Sequence, residues 1–185
     1  MSPLMATLRA RRAERALRGA ARGRLLDVGC GHYPFFLTRS DFTGRYGLDR
    51  EPGPQWRDVP GIALTVADIE RTPRLPFRDD TFDAVTMLAV VEHVDEGILA
   101  ELLADARRVL RAGGRLVITT PPPWSDPVLK GLARLGLSSK TELEEHQAAY
   151  TPSGLRRLLA SAGFGRARAG LFELGLNVWA TGFRD

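Results

Sequence analysis

The run Leu25-Leu26-Asp27-Val28-Gly29-Cys30-Gly31 constrains this chain more than any other stretch of it. Leu25 to Val28 suit a short buried strand, and Gly29 and Gly31 free the backbone to turn sharply and approach a ligand closely. A strand running straight into a glycine turn is how doubly wound α/β folds hold an adenosine-containing cofactor, at the carboxyl end of the first strand. The dinucleotide fingerprint G-x-G-x-x-G would add a third glycine for close helix packing and seat a pyrophosphate at the helix N-terminus. Here the run continues His32-Tyr33-Pro34, without that glycine. Asp27 would repel a pyrophosphate and suits a cationic partner such as a sulfonium or an amino group. A nicotinamide oxidoreductase is disfavoured on both counts.

Further segments follow in a telling order. Tyr46-Gly47-Leu48-Asp49-Arg50 stands at the distance of a second strand and ends in a carboxylate able to accept both hydroxyls of a ribose. Val66-Ala67-Asp68-Ile69-Glu70 offers a third strand end, and the stretch from Leu75 to Val85 leads into a fourth. Val90-Val91-Glu92-His93-Val94 lies just past it, and Arg108 to Ile118 reads as helix, glycine turn and fifth strand. Together, from roughly residue 20 to residue 165, these segments resemble the class I S-adenosylmethionine-dependent methyltransferases, in particular the small type 11-like ones. The resemblance implies S-adenosylmethionine as cofactor and S-adenosylhomocysteine as product. It implies that Asp27 and the Gly29-Cys30-Gly31 backbone hold the methionine portion. Asp49, with Arg50 beside it, would bind the ribose, and Asp68 the adenine amino group, with Ile69 and Leu88 as apolar walls around the ring. Tyr33 stands where many relatives carry glycine; it would pack on the cofactor or face the acceptor.

Length and composition allow one domain spanning 1–185, large enough to bury a core. A single cysteine, Cys30, excludes an internal disulfide and a cysteine-cluster metal site, and the three histidines show no ligand spacing, so no metal is expected. No apolar stretch reaches the ~20 residues of a membrane span, and no signal-peptide core is present; the expectation is a soluble, cytoplasmic protein. Formal net charge is +4, and Arg9, Arg11, Arg12, Arg15, Arg18, Arg22 and Arg24 crowd the start of the chain with Glu14 the one acid among them. No aromatic residue interleaves with these arginines to stack bases, so they read as the solvated face of a helix rather than a phosphate-tracking patch, and nucleic acid is not an expected partner. Oligomeric state stays open.

The patterning predicts an α/β, Rossmann-like doubly wound sheet of about seven strands, mostly parallel with an antiparallel C-terminal hairpin, and helices on both faces. A helix over 3–20 lies within an N-terminal region 1–22. Strand one ends at Val28, a short helix or turn covers Phe35 to Ser40, and strand two runs to Leu48. Strands three and four span Ile62 to Val66 and Phe82 to Leu88. Leu99, Leu102, Leu103, Ala106 and Leu110 predict a helix from Gly97 to Leu110, stopped by Gly113-Gly114 before a fifth strand, Arg115 to Thr119. Pro121-Pro122-Pro123 ends that strand and opens a helical lid or acceptor region, 121–150. Thr151 as N-cap and Pro152 at the first position start a further helix, closed by Gly163. Strands near Ala167–Leu174 and Leu176–Thr181 complete the hairpin.

Methyl transfer from a sulfonium is an in-line displacement, so alignment and exclusion of water matter most, and a base is needed only where the acceptor carries a proton that must leave. His93, just after the fourth strand, is the first candidate base, and a structural hydrogen-bonded histidine is the equal alternative. His146, in Glu144-Glu145-His146-Gln147, and Tyr150 follow, and His32 can reach the same mouth. In the lid, Trp124, Leu129, Leu132, Leu135 and Leu137 offer an apolar wall over the mouth or simply pack the lid, and Glu142, Glu144 and Glu145 offer polar contacts. The shortness of this excursion favours a small-molecule acceptor: a metabolite, natural product or sugar. A nucleic-acid methyltransferase using the N-terminal arginines, and a non-catalytic S-adenosylmethionine-binding protein, are the alternatives.

Overall fold

A computed structural model describes residues 3–54, 56, 59–125 and 150–185. Their strands are β1 (Arg24–Val28), β2 (Gly44–Asp49), β3 (Ile62–Val66), β4 (Phe82–Leu88), β5 (Leu110–Thr120), β6 (Gly165–Phe172) and β7 (Asn177–Phe183). All seven join one sheet in the order β3-β2-β1-β4-β5-β7-β6. The pairs from β3 to β5 are parallel, whereas β7 runs antiparallel to both β5 and β6. The chain steps outward from β1 to β3 and then crosses back to β4 on the far side of β1. The β1–β4 junction is therefore the switch point, where open α/β sheets leave a crevice at the carboxyl ends of the strands.

Pleating divides the core in two. Consecutive residues of a strand face opposite ways, so Leu26, Val85 and Leu116 enter one apolar cluster while Leu25, Ala84 and Val117 enter the other. The first cluster is closed by helices α2 (Glu96–Val109) and α3 (Pro152–Ser161), through Leu99, Leu102, Leu103, Leu155 and Leu159. The second is closed by α1 (Pro3–Ala16), through Ala10 and Ala13, with Leu17, Phe36, Leu37 and Phe42 around them. Asp95 caps α2 by accepting from Gly97 N at 2.8 Å, and Thr151 caps α3 by accepting from Gly154 N at 3.1 Å.

Strands β3 and β4 keep the bounds expected of them. Elsewhere the boundaries move for physical reasons. α1 stops at Ala16 rather than residue 20, and Gly19 follows in a turn at φ 79°. α2 ends at Val109, ahead of the glycines, because Leu110 turns extended and pairs with Phe82. Gly113 and Gly114 then lie where the β4–β5 register shifts, so β5 begins at Leu110 and not Arg115. Leu174 belongs to the turn Glu173–Gly175, not to a strand. Leu129, Leu132, Leu135, Leu137, Glu142, Glu144, Glu145 and His146 lie outside the described residues. No described helix is long and apolar enough to cross a membrane.

Candidate functional site

At the carboxyl ends of β1, β2, β3 and β4 lies a cavity of about 580 Å³, walled by residues of all four strand ends. From the first come Gly29, Gly31 and His32; from the second Leu48, Asp49, Arg50 and Glu51; from the third Ala67, Asp68, Ile69 and Glu70; and from the fourth Ala89, Val90, His93 and Val94. Thus Gly29, Gly31, Asp49, Arg50, Asp68, Ile69 and His93, all singled out in the sequence, share one wall.

The glycine turn is latched to β2. Gly29 N and Cys30 N both donate to the Leu48 carbonyl, at 2.7 and 3.2 Å. Gly29 and Gly31 both take left-handed backbone, at φ 70° and 76°. A Cβ on Gly29 would sit 2.5 Å from Val90 Cγ2, whereas a Cβ on Gly31 would meet nothing within 4 Å. One glycine therefore serves packing, and the other leaves the wall open.

Two aspartates present organised carboxylates. Asp49 Oδ2 accepts from Gly31 N at 2.7 Å and Oδ1 from Glu51 N at 3.0 Å. Each oxygen keeps a second acceptor position, so the group is oriented without being saturated. Asp68 Oδ1 accepts from Glu70 N at 3.0 Å, and its Oδ2 lies 3.5 Å from the exposed Arg71 guanidinium. At the rim, Arg50 pairs with Glu70 at 3.3 Å.

Other expected residues stand off the wall. Asp27 is buried on the α1 side of the sheet, the face it shares with Leu25, where Thr86 Oγ1 donates to its Oδ1 at 2.6 Å. Burial pushes its pKa up to about 7; the Thr86 hydrogen bond pulls it down and the Asp49 charge adds to the rise. Cys30 turns its thiol toward β2, where Sγ would lie 2.7 Å from a Cβ on Gly47, and burial pushes that thiol's pKa up. Leu88 shares the face of Ala84 and packs on the α1-side cluster. The wall it was expected to form is made by Ala89 and Val90, with Ala89 in the left-handed region at φ 59°. Tyr33 is half exposed beyond the cavity. Tyr150 packs against the larger core cluster with its hydroxyl unpartnered, and burial followed by Glu96, Asp95 and Glu92 raises its pKa, the wrong direction for a base.

Trp56 belongs to the site although no motif marks it. Its indole Nε1 donates to the Gly31 carbonyl at 2.9 Å and its ring is buried, so it pins the glycine turn from the far loop. A lone tryptophan in a proline- and glycine-rich loop was the available signal.

The Methyltransferase domain family matches residues 2–165 of the chain. A demethylmenaquinone methyltransferase of Beutenbergia cavernae is 38% identical over 71 residues, which are 37% of this chain and 28% of that protein. A ubiquinone/menaquinone biosynthesis C-methyltransferase of Desulfotalea psychrophila is 44% identical over 64 residues, 34% of this chain and 24% of that protein. The matched stretches thus span less than a third of either relative. The solved structure of a SAM dependent methyltransferase from Archaeoglobus fulgidus superposes with a TM-score of 0.70 at 20% identity, over 97% of this chain and 92% of that one, a likeness of fold. Almost the whole chain is covered by one family pattern, and it belongs to the methyltransferase domain family.

Proposed function

We propose that this enzyme methylates a small-molecule acceptor, with the adenosyl cofactor lying along the glycine turn and across the ends of β2 and β3. The observation that carries this reading is the Asp49 carboxylate, on the cavity wall and oriented by Gly31 N and Glu51 N. Such a carboxylate accepts paired hydroxyls of a ribose. Asp68 and Ile69, one strand over, suit an adenine ring and its amino group, and the open side of Gly31 admits the methionine portion. Asp27 acts from behind the turn, as a buried acid whose ionisation a nearby cation would favour.

When bound, the cofactor supplies a methyl group on a sulfonium, already activated for displacement. The chain's own task is then to align the acceptor and exclude water. Val90 and Val94 give the fourth-strand side of the cavity an apolar surface, with His93 between them. His93 N donates to the Val90 carbonyl at 3.0 Å, which fixes the turn that presents the imidazole. In this reading His93 takes the acceptor's proton. The two relatives named for quinone biosynthesis support a small acceptor, conjugated and largely apolar.

Calorimetric titration with S-adenosylmethionine and S-adenosylhomocysteine tests the cofactor assignment. Micromolar binding of both is expected, weakened about tenfold or more in Asp49→Ala through loss of charge-assisted hydrogen bonds. Binding of neither ligand, or equal binding by the variant, would overturn the assignment.

A further inference from the structure

Beyond the fourth-strand wall of the cavity, a second group of polar side chains is buried at the same end of the sheet. Glu92 stands in the short turn Val91–His93, one residue before the imidazole that lines the cavity, and is 1% exposed. Thr120 ends β5, and Asn177, 2% exposed, opens β7 across from Phe172 of β6. Glu173, in the turn that precedes β7, accepts from Asn177 Nδ2 through Oε2 at 2.5 Å. Arg9 of α1 joins the two halves of this group, because its charge acts on Glu92 and on Glu173 alike.

Both hydrogen bonding and charge are incomplete here. Glu92 Oε2, Glu173 Oε1 and Asn177 Oδ1 are buried and accept no hydrogen bond. All three are acceptors, and native interiors seldom leave buried acceptors unmet without a reason. Burial pushes the Glu92 pKa up, against its own backbone amide, Arg9, His93 and Thr120. Burial also raises that of Glu173, against Arg9 and Asn177. Among the described residues, Arg9 is the cation that these two acids share, so two carboxyl groups face one guanidinium. The negative side reaches Tyr150 as well, whose pKa is raised by burial and then by Glu96, Asp95 and Glu92.

We infer that Glu92, Glu173 and Asn177 anchor the acceptor by a protonated primary amine. Such a group brings three N–H donors and one positive charge to three unmet acceptors and a carboxylate that Arg9 does not balance. A neutral hydroxyl would meet an acceptor and leave the charge as it was. The inference rests on reading the adjoining cavity as a methyl-transfer site, and it adds one charged group to an otherwise apolar acceptor. An ammonium has no lone pair with which to attack a sulfonium. It therefore holds the acceptor in place while another atom receives the methyl group.

Ligand-observed NMR titration of the full chain with 2-phenylethylamine and with 2-phenylethanol tests this at neutral pH, with and without saturating S-adenosylhomocysteine. The two probes differ only in an ammonium against a hydroxyl. The amine is expected to bind about tenfold or more tighter than the alcohol, as a charge-assisted hydrogen bond requires. Glu173→Gln and Glu92→Gln keep the shape of the side chain, and each should lower amine affinity about tenfold or more while leaving the alcohol unchanged. Thermal unfolding of both variants shows that they are folded, and S-adenosylhomocysteine titrated alone reads the cofactor assignment separately. No binding of the amine, equal binding of amine and alcohol, or undiminished amine binding by both variants overturns the inference.

Discussion

Gly29 and Gly31 show how two identical residues, one apart, do different work. Both hold left-handed backbone, so alanine at either position carries about 1–2 kcal/mol of strain. Only at Gly29 does the added methyl group also strike Val90. Gly29→Ala should therefore cost clearly more stability, by thermal unfolding, than Gly31→Ala. Gly31→Ala should instead show its main effect as weakened cofactor binding, because its methyl group points into the space the ligand would use. A reversed ranking would mean that the cavity is not where the ligand lies. The same turn explains Trp56. In Trp56→Phe the ring can still pack while the Gly31 carbonyl loses its donor, so about 1 kcal/mol of stability and some cofactor affinity should go together. Stability lost with affinity intact would show that the latch does not shape the site.

At the scale of elements, α2 is tied to the chain that leads into β4 through two side chains, Arg108 and Asp105. Arg108 donates to Asp105 on its own helix, to Asp79, and to the carbonyls of Leu75 and Phe77. Asp105 in turn accepts from Leu75 N at 2.6 Å. The guanidinium fork spans helix and loop in a way an ammonium cannot. Arg108→Lys keeps the charge and should still lower stability by about 1–2 kcal/mol in urea unfolding. Wild-type stability in that variant would show the loop to be held by its backbone alone. What is legible in the sequence also divides at this scale. The ends of β2 and β3 stand out because apolar runs stop at turn residues, and Asp49 and Asp68 follow from those ends. Leu88 does not, because its face is set by the pairing register of β4, which no local pattern reveals. The start of β5 is hidden for a related reason: Leu110 leaves the helix to pair with Phe82, 28 positions earlier, and the glycines that look like a helix stop lie inside the strand.

Across the whole molecule, burial raises the pKa of several acids: Asp27, Glu14, Glu92 and Glu173. A carboxyl group whose folded pKa is raised binds its proton more tightly in the folded state than in the unfolded one. Its contribution to stability is full below the ordinary carboxylate range and is lost as pH rises through the folded value. For Asp27 that window runs from 3.8 to about 7. Asp27→Asn should flatten the fall in unfolding free energy across it, measured by urea titration at a series of pH values. An unchanged slope would place the proton on another group. None of this is visible in composition. The sequence shows Asp27 at a strand end, but only the register that sets Thr86 beside it reveals the buried hydrogen bond its carboxyl group accepts.

Because the chain has one cysteine, and Cys30 sits buried in the glycine turn, thiol chemistry becomes a stopwatch for that turn. An alkylating reagent can reach the sulfur only when the segment swings away from β2, so the labelling rate counts those excursions one residue from the residues that would touch the ligand. A cofactor gripping the closed turn must slow the count in proportion to its saturation. If labelling ran equally fast with and without saturating S-adenosylhomocysteine, the turn would open independently of the ligand. A single chemical reaction, needing no acceptor, then times the motion that admits the cofactor.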